Sequence, residues 1–144
     1  MLFRSERGEP LPFELDGAAV YYCGPTPARG GRPVGSAGPT TSSRMDRFTG
    51  PLLERGLALA IGKGGRSDNV RGLFAKHGAA YLVATGGAGA LLARHVIASR
   101  ILAYPELGPE AARLFTVNRM PLIVGYDASG GSAFSGDGKN FHLL

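Results

Sequence analysis

Apolar positions in this chain follow two periods that change over several times. Residues 18–23, Ala-Ala-Val-Tyr-Tyr-Cys, form a short apolar run stopped by Gly24-Pro25, which is the pattern of a strand. Between 43 and 55, Met45, Phe48, Leu52 and Leu53 recur at helical spacing and make one apolar face. Ser43 and Asp46 stand three apart at its start, the spacing of a capping box. Residues 57–61 read as a buried strand ending at Gly62-Lys63-Gly64, and residues 68–77 as a helix turning Val70, Leu73 and Phe74 inward. Residues 79–84 predict a strand, 85–89 a tight turn, 90–96 a helix and 97–103 another strand. A short helix over 109–114 and short strands over 115–117 and 122–126, around Pro121, complete the series. Residues 26–39 form a long Gly/Pro loop, and long ordered loops are often functional. Residues 1–17 read as a helix end running into an extended connector at Pro10 and Pro12. Residues 130–144 read as a Gly/Ser-rich tail with an apolar end, Phe141 to Leu144. Strands alternating with helices predict α/β layering with at least some parallel pairing.

Composition narrows this. At 144 residues, 44% hydrophobic and 19% charged, the chain suits one domain with its own core and is too apolar for disorder. No apolar run reaches the roughly 18 residues of a membrane span, and the N-terminus MLFRSERGEPLPF lacks an apolar signal core, so a cytoplasmic protein is expected. The net charge of +5 comes from scattered Lys and Arg, without Trp or a basic block interleaved with aromatics. Nothing in that distribution is a nucleic-acid motif, whereas a small acidic ligand or an acidic partner chain fits it. Cys23 is the only cysteine, so the chain makes no internal disulfide and cannot by itself hold an iron–sulfur cluster. The 23 glycines cluster beside apolar runs, as in a fold whose loops approach something closely.

Three stretches could carry chemistry. In GSAGPTTSSRMDRF, residues 35–48, Thr40, Thr41, Ser42 and Ser43 bring hydroxyls to a helix start and Arg44 falls in its first turn. A cation there opposes the helix dipole by roughly 0.3–1 kcal/mol, which a bound carboxylate gripped by the guanidinium would offset. A plain N-cap with a solvated arginine fits the spacing too. In Ile61-Gly62-Lys63-Gly64-Gly65 a lysine sits at a strand end, the site-forming edge of α/β proteins. GxxxxGK[ST] is absent, which rejects a triphosphate loop, and a solvated turn lysine is the alternative. Gly86-Gly87-Ala88-Gly89 departs from GxGxxG and fits a close packing turn better than a dinucleotide site. His77, His95 and His142 show no metal-ligand spacing with each other or with Cys23, and Cys23 itself reads as a buried structural thiol.

Taken together, the stretches YYCGPTPARGGRPVGSAGPTTSSRMDRFTGPLLERGL, AIGKG, ATGGAGALLARHV and LAYPELGPEAARLFTVNRMPLIV closely resemble the β subunit, or C-terminal domain, of class I iron–sulfur fumarate hydratases. The related L-tartrate dehydratase β subunits share the outline, and GPTPA with GSAGPTT is more fumarase-like. The resemblance runs from Gly8 onward. It implies a three-layer swivelling β/β/α domain with a mixed sheet. It also implies a partner α subunit, or N-terminal domain, carrying three cysteines for a [4Fe–4S] cluster that this chain does not hold. The implied reaction is reversible trans addition of water to fumarate, giving (S)-malate, with a cluster iron as Lewis acid. Carried onto this sequence, Thr40 and Arg44 match the family's active-site threonine and substrate-carboxylate arginine, and Lys63 matches the lysine of its GKG motif. Thr40 is further implicated in proton transfer with an Asp of the partner. Family members carry an ARDxxH segment before the GEPLPF-like connector, supplying another substrate arginine. Residues 1–144 are expected to be one such domain without that segment, with residues 1–7 as the tail of its helix. The expectation is a hetero-oligomeric hydro-lyase acting on fumarate, with two alternatives. One is the L-tartrate dehydratase β subunit; the other is a non-catalytic domain that binds a partner or a small anion.

Overall fold

The structure, a computed structural model, describes residues 10–134. The expected helix tail within residues 1–7 and the apolar end of the C-terminal tail lie outside them. The connector around Pro10 and Pro12 has no helix or strand. Its Leu15 is buried at 3% exposure, and Gly17 N–H donates to the Gly56 carbonyl at 2.9 Å.

Four strands make the central sheet: β1 (Ala19–Tyr21), β2 (Leu59–Gly62), β3 (Ala80–Val83) and β6 (Ile123–Tyr126). Their order is β1-β2-β3-β6. The first two pairings are parallel and β6 is antiparallel to β3, so the sheet is mixed, as expected. Parallel neighbours need crossovers, and helices α1 (Asp46–Leu53) and α2 (Asp68–Lys76) supply them. Both pack on one face. There Leu52, Leu53, Val70 and Phe74 close over Tyr22, Ala60, Tyr81 and Tyr126. Strand alternation decides who faces where: Val20 and Tyr22 join that core, while Tyr21 and Cys23 turn to the other face. A second core of Val34, Ala37, Ala93 and Val96 fills that side, covered by the long loop, by helix α3 (Gly89–Ala93) and by an antiparallel hairpin. The hairpin strands are β4 (Val96–Ala103) and β5 (Ala112–Val117). Helices, mixed sheet and hairpin make three layers, the β/β/α arrangement.

Two expectations are corrected. Residues 109–114 are not a helix. A 3-10 turn spans Pro105–Glu110 and β5 begins at Ala112. Ala111-Ala112-Arg113-Leu114 has good helix propensity, but Gly108 at φ 57°, next to Pro109, breaks the helical path, and pairing with β4 captures the residues from Ala112 onward. The helix expected from residue 43 also starts differently. Ser42–Met45 is a 3-10 turn, α1 begins at Asp46, and neither start has a side-chain cap. Asp46 closes no capping box because its carboxylate is engaged elsewhere.

Candidate active site

The hydroxyl-rich stretch is an extra rung on the sheet rather than an open helix end. Thr40 N–H donates to the Tyr22 carbonyl at 2.7 Å, beyond the end of β1. Lys63 N–H donates to the Thr40 carbonyl at 3.2 Å and Ser42 N–H to the Lys63 carbonyl at 3.0 Å. Thr41 thereby pairs in parallel with Lys63, just past β2. Thr40 and Lys63 are pinned side by side at the carboxyl ends of parallel strands, where α/β folds place ligands.

The side chains divide from there. Thr40 and Arg44 line a cleft of about 880 Å³ between the sheet and the hairpin. Phe13, Tyr21, Ile61 and Phe115 give it apolar walls, Arg47 and Arg113 add positive charge, and Glu110 is a carboxylate on its rim. Lys63 is not on that lining. Its Cδ lies 3.6 Å from where a Cβ on Gly86 would stand, so its stem runs over the turn after β3. Among the described residues neither Arg44, which is exposed, nor Lys63 has a carboxylate within ion-pair distance. Ser42 is not a ligand donor: it is fully buried, with its Oγ 2.9 Å from the Tyr81 hydroxyl. It packs so closely on Gly62 that a Cβ there would sit 1.9 Å from Ser42 Oγ, which explains the glycine before Lys63. The Gly86–Gly89 turn is a packing turn, as expected, though its contact is the long loop: a Cβ on Gly89 would meet Ser36 Oγ at 2.4 Å.

Sequence reasoning missed Arg66. Its side chain is 0% exposed and its Nε donates to Asp46 Oδ1 at 2.8 Å. A second nitrogen donates to Thr49 Oγ1, and its guanidinium carbon lies 5.5–5.6 Å from the ring centres of Tyr22, Phe74 and Tyr81. The same carboxylate accepts the Ser67 N–H at 3.1 Å, at the start of α2. One signal existed: like Arg44, Arg66 is a cation just at a helix start, though its partner stands 20 residues away in sequence.

The donor set does not fit a metal cluster. Cys23 is the single cysteine, half-buried, and no three His, Cys, Asp or Glu side chains among the described residues are grouped to hold a metal ion. Burial, and secondarily the charge of Glu110, push its thiol up to about 11. Iodoacetamide is therefore expected to alkylate Cys23 about 100-fold more slowly near neutral pH than an unstructured cysteine peptide. The rate should climb until the pH passes about 11. Labelling at the peptide's rate near neutral pH, measured by mass spectrometry, would contradict a thiol held neutral. Burial raises the Tyr21 hydroxyl as well, and it donates to the Ala37 carbonyl at 2.6 Å.

A mixed sheet whose parallel strand ends open on a cleft lined by Arg44, Arg47 and Arg113 defines a three-layer α/β domain. Comparison with known proteins makes the assignment specific: residues 1–136 match the family model Fumarase C-terminus, and the chain belongs to that family. It is 38% identical over 133 residues to "Fumarate hydratase class I, aerobic" of Escherichia coli, and 37% over 132 residues to "Fumarate hydratase 2" of Leishmania major. These matches cover 91% and 90% of this chain but 24% and 23% of those proteins, so the chain spans about a quarter of their length. It is also 36% identical over 132 residues to the "Putative L(+)-tartrate dehydratase subunit beta" of Methanocaldococcus jannaschii, covering 88% of this chain and 68% of that one. No helix among the described residues is long and apolar enough to cross a membrane.

Proposed function

We propose that this chain is the β component of an iron–sulfur hydro-lyase that adds water reversibly to fumarate, giving (S)-malate. The observation that carries the reading is the placing of Thr40 and Arg44 on one cleft, with Lys63 bonded to the Thr40 backbone, in a Fumarase C-terminus chain. In this reading the cluster and its Lewis-acid chemistry belong to an α subunit, which closes over the cleft.

The chain's own work is electrostatic. Fumarate carries two carboxylates, and Arg44, exposed and without an ion pair among the described residues, can grip one through two parallel N–H bonds. Lys63 adds a second cation, so that the two side chains together neutralise the dicarboxylate. Hydration delivers hydroxide to one alkene carbon and a proton to its neighbour. A threonine hydroxyl is too weak a base to act alone, so Thr40 relays: it gives its proton to carbon and takes one from a carboxylic acid of the partner.

The test is reconstitution. Purified anaerobically with a cluster-bearing α subunit, the chain is expected to consume fumarate, read as loss of its ultraviolet absorbance, with (S)-malate as the product. L-tartrate belongs in the same assay, because the Methanocaldococcus relative carries that name. Turnover of tartrate alone would move the assignment to the dehydratase. Complex formation without turnover of either acid would reduce the chain to a binding domain.

A further inference from the structure

Arg44 and Lys63 stand on different segments, and buried and part-buried hydrogen bonds tie one segment to the other. Arg44 occupies the turn Ser42–Met45, and both flanks of that turn are anchored to the segment that carries Lys63. On one flank the Tyr81 hydroxyl bridges Ser42 Oγ at 2.9 Å and the Gly64 carbonyl at 2.7 Å. Ser42 lies two residues before Arg44, and Gly64 is the residue after Lys63. On the other flank, Asp46 Oδ1 accepts from Arg66 Nε at 2.8 Å. Asp46 lies two residues after Arg44, and Arg66 three after Lys63.

The second tether is itself braced. Thr49 accepts from the guanidinium and donates to the Met45 carbonyl at 2.9 Å, at the end of the turn. The Arg66 N–H donates to the Tyr126 hydroxyl at 2.9 Å, and that hydroxyl donates back to the Arg66 carbonyl at 3.1 Å. The remaining guanidinium nitrogen has no hydrogen-bond partner among the described residues and is surrounded by aromatic rings, which accept a cation on their faces. With its side chain 0% exposed, Arg66 cannot touch a ligand in the cleft. A buried charge pair is weak evidence for stability but a good way to specify one arrangement of two segments.

We propose that Ser42, Asp46, Arg66 and Tyr81 are positioning residues, a clamp that ties the segment of Arg44 to the segment of Lys63 so that both cations serve one dicarboxylate. The proposal rests on the reading of Thr40, Arg44 and Lys63 as the dicarboxylate seat. Sites that grip both ends of a ligand need support of this kind, since small displacements lose the second contact first.

Discrimination between two and one negative charges reads the clamp directly. Fumarate and crotonate share a four-carbon trans-alkene skeleton, but crotonate has one carboxylate. By calorimetry on the full chain, wild type is expected to bind fumarate at least about tenfold tighter than crotonate, the worth of one charge-assisted contact. Asp46→Asn is isosteric, and Tyr81→Phe removes one hydroxyl. Both are expected to stay folded by circular dichroism, Asp46→Asn with a lower melting temperature because it leaves the buried Arg66 without its charge partner, while the fumarate-over-crotonate ratio falls about three- to tenfold. Arg66→Lys, which keeps the charge but loses the fork, should fall between wild type and Asp46→Asn. If both Asp46→Asn and Tyr81→Phe are folded and keep the wild-type ratio, the clamp has no positioning role and the proposal is overturned. If wild type itself shows no preference for fumarate, the dicarboxylate seat fails first and takes the clamp with it.

Discussion

Arg44→Ala is expected to lower kcat/KM for fumarate by about 100-fold in the reconstituted enzyme, the worth of the charge-assisted carboxylate contact it removes. The side chain is exposed on the turn Ser42–Met45, so its loss opens no core cavity. Among the described residues it has no ion pair to forfeit. The melting temperature should therefore hold within a few degrees while activity collapses. Arg44→Lys is expected to recover only part of the rate, because an ammonium cannot reproduce the planar two-point grip. If Arg44→Ala turns over fumarate at the wild-type kcat/KM, Arg44 is a solvated surface cation and the seat must be sought elsewhere on the cleft.

Arg66→Met carries the opposite signature. Removing one partner of a buried charge pair destabilises by about 3–5 kcal/mol. Here Asp46 is 20% exposed and regains some water, which favours the lower end. About 3 kcal/mol in a chain of this size is a melting-temperature drop of roughly 10 °C. The lost terms are the bonds to Asp46 and Thr49 and the contact with three rings; the methionine keeps most of the stem's packing. A double-mutant cycle sharpens the expectation. Asp46→Ala with Arg66→Met should cost clearly less than the two single changes added, because the pair's penalty is counted once. Strict additivity would mean that the two charges do not interact, contrary to their 2.8 Å separation.

The two arginines show how far local sequence rules reach. Both sit at a helix start, where a cation opposes the dipole, and the rule marks both as anomalous. It cannot say why each is there. One is exposed and has no carboxylate within ion-pair distance among the described residues, as a ligand grip would be. The other is sealed under three rings against Asp46, which sequence spacing had assigned to a capping box with Ser43. The same limit applies to residues 109–114, where local helix propensity lost to pairing with β4.

What the sequence determined by itself is the set of elements whose apolar period is strong, the strand–helix alternation that requires parallel pairing, and the glycine-flanked motifs at strand ends. These arise from properties of neighbouring residues, which one chain displays in order. Only the tertiary structure decided that Thr40 and Lys63 are adjacent rungs, that Lys63 leans over Gly86 while Thr40 and Arg44 share the cleft, and that Ser42 is buried rather than offered to a ligand. Those outcomes depend on which distant segments the sheet register brings within hydrogen-bonding range, and no local pattern encodes that distance.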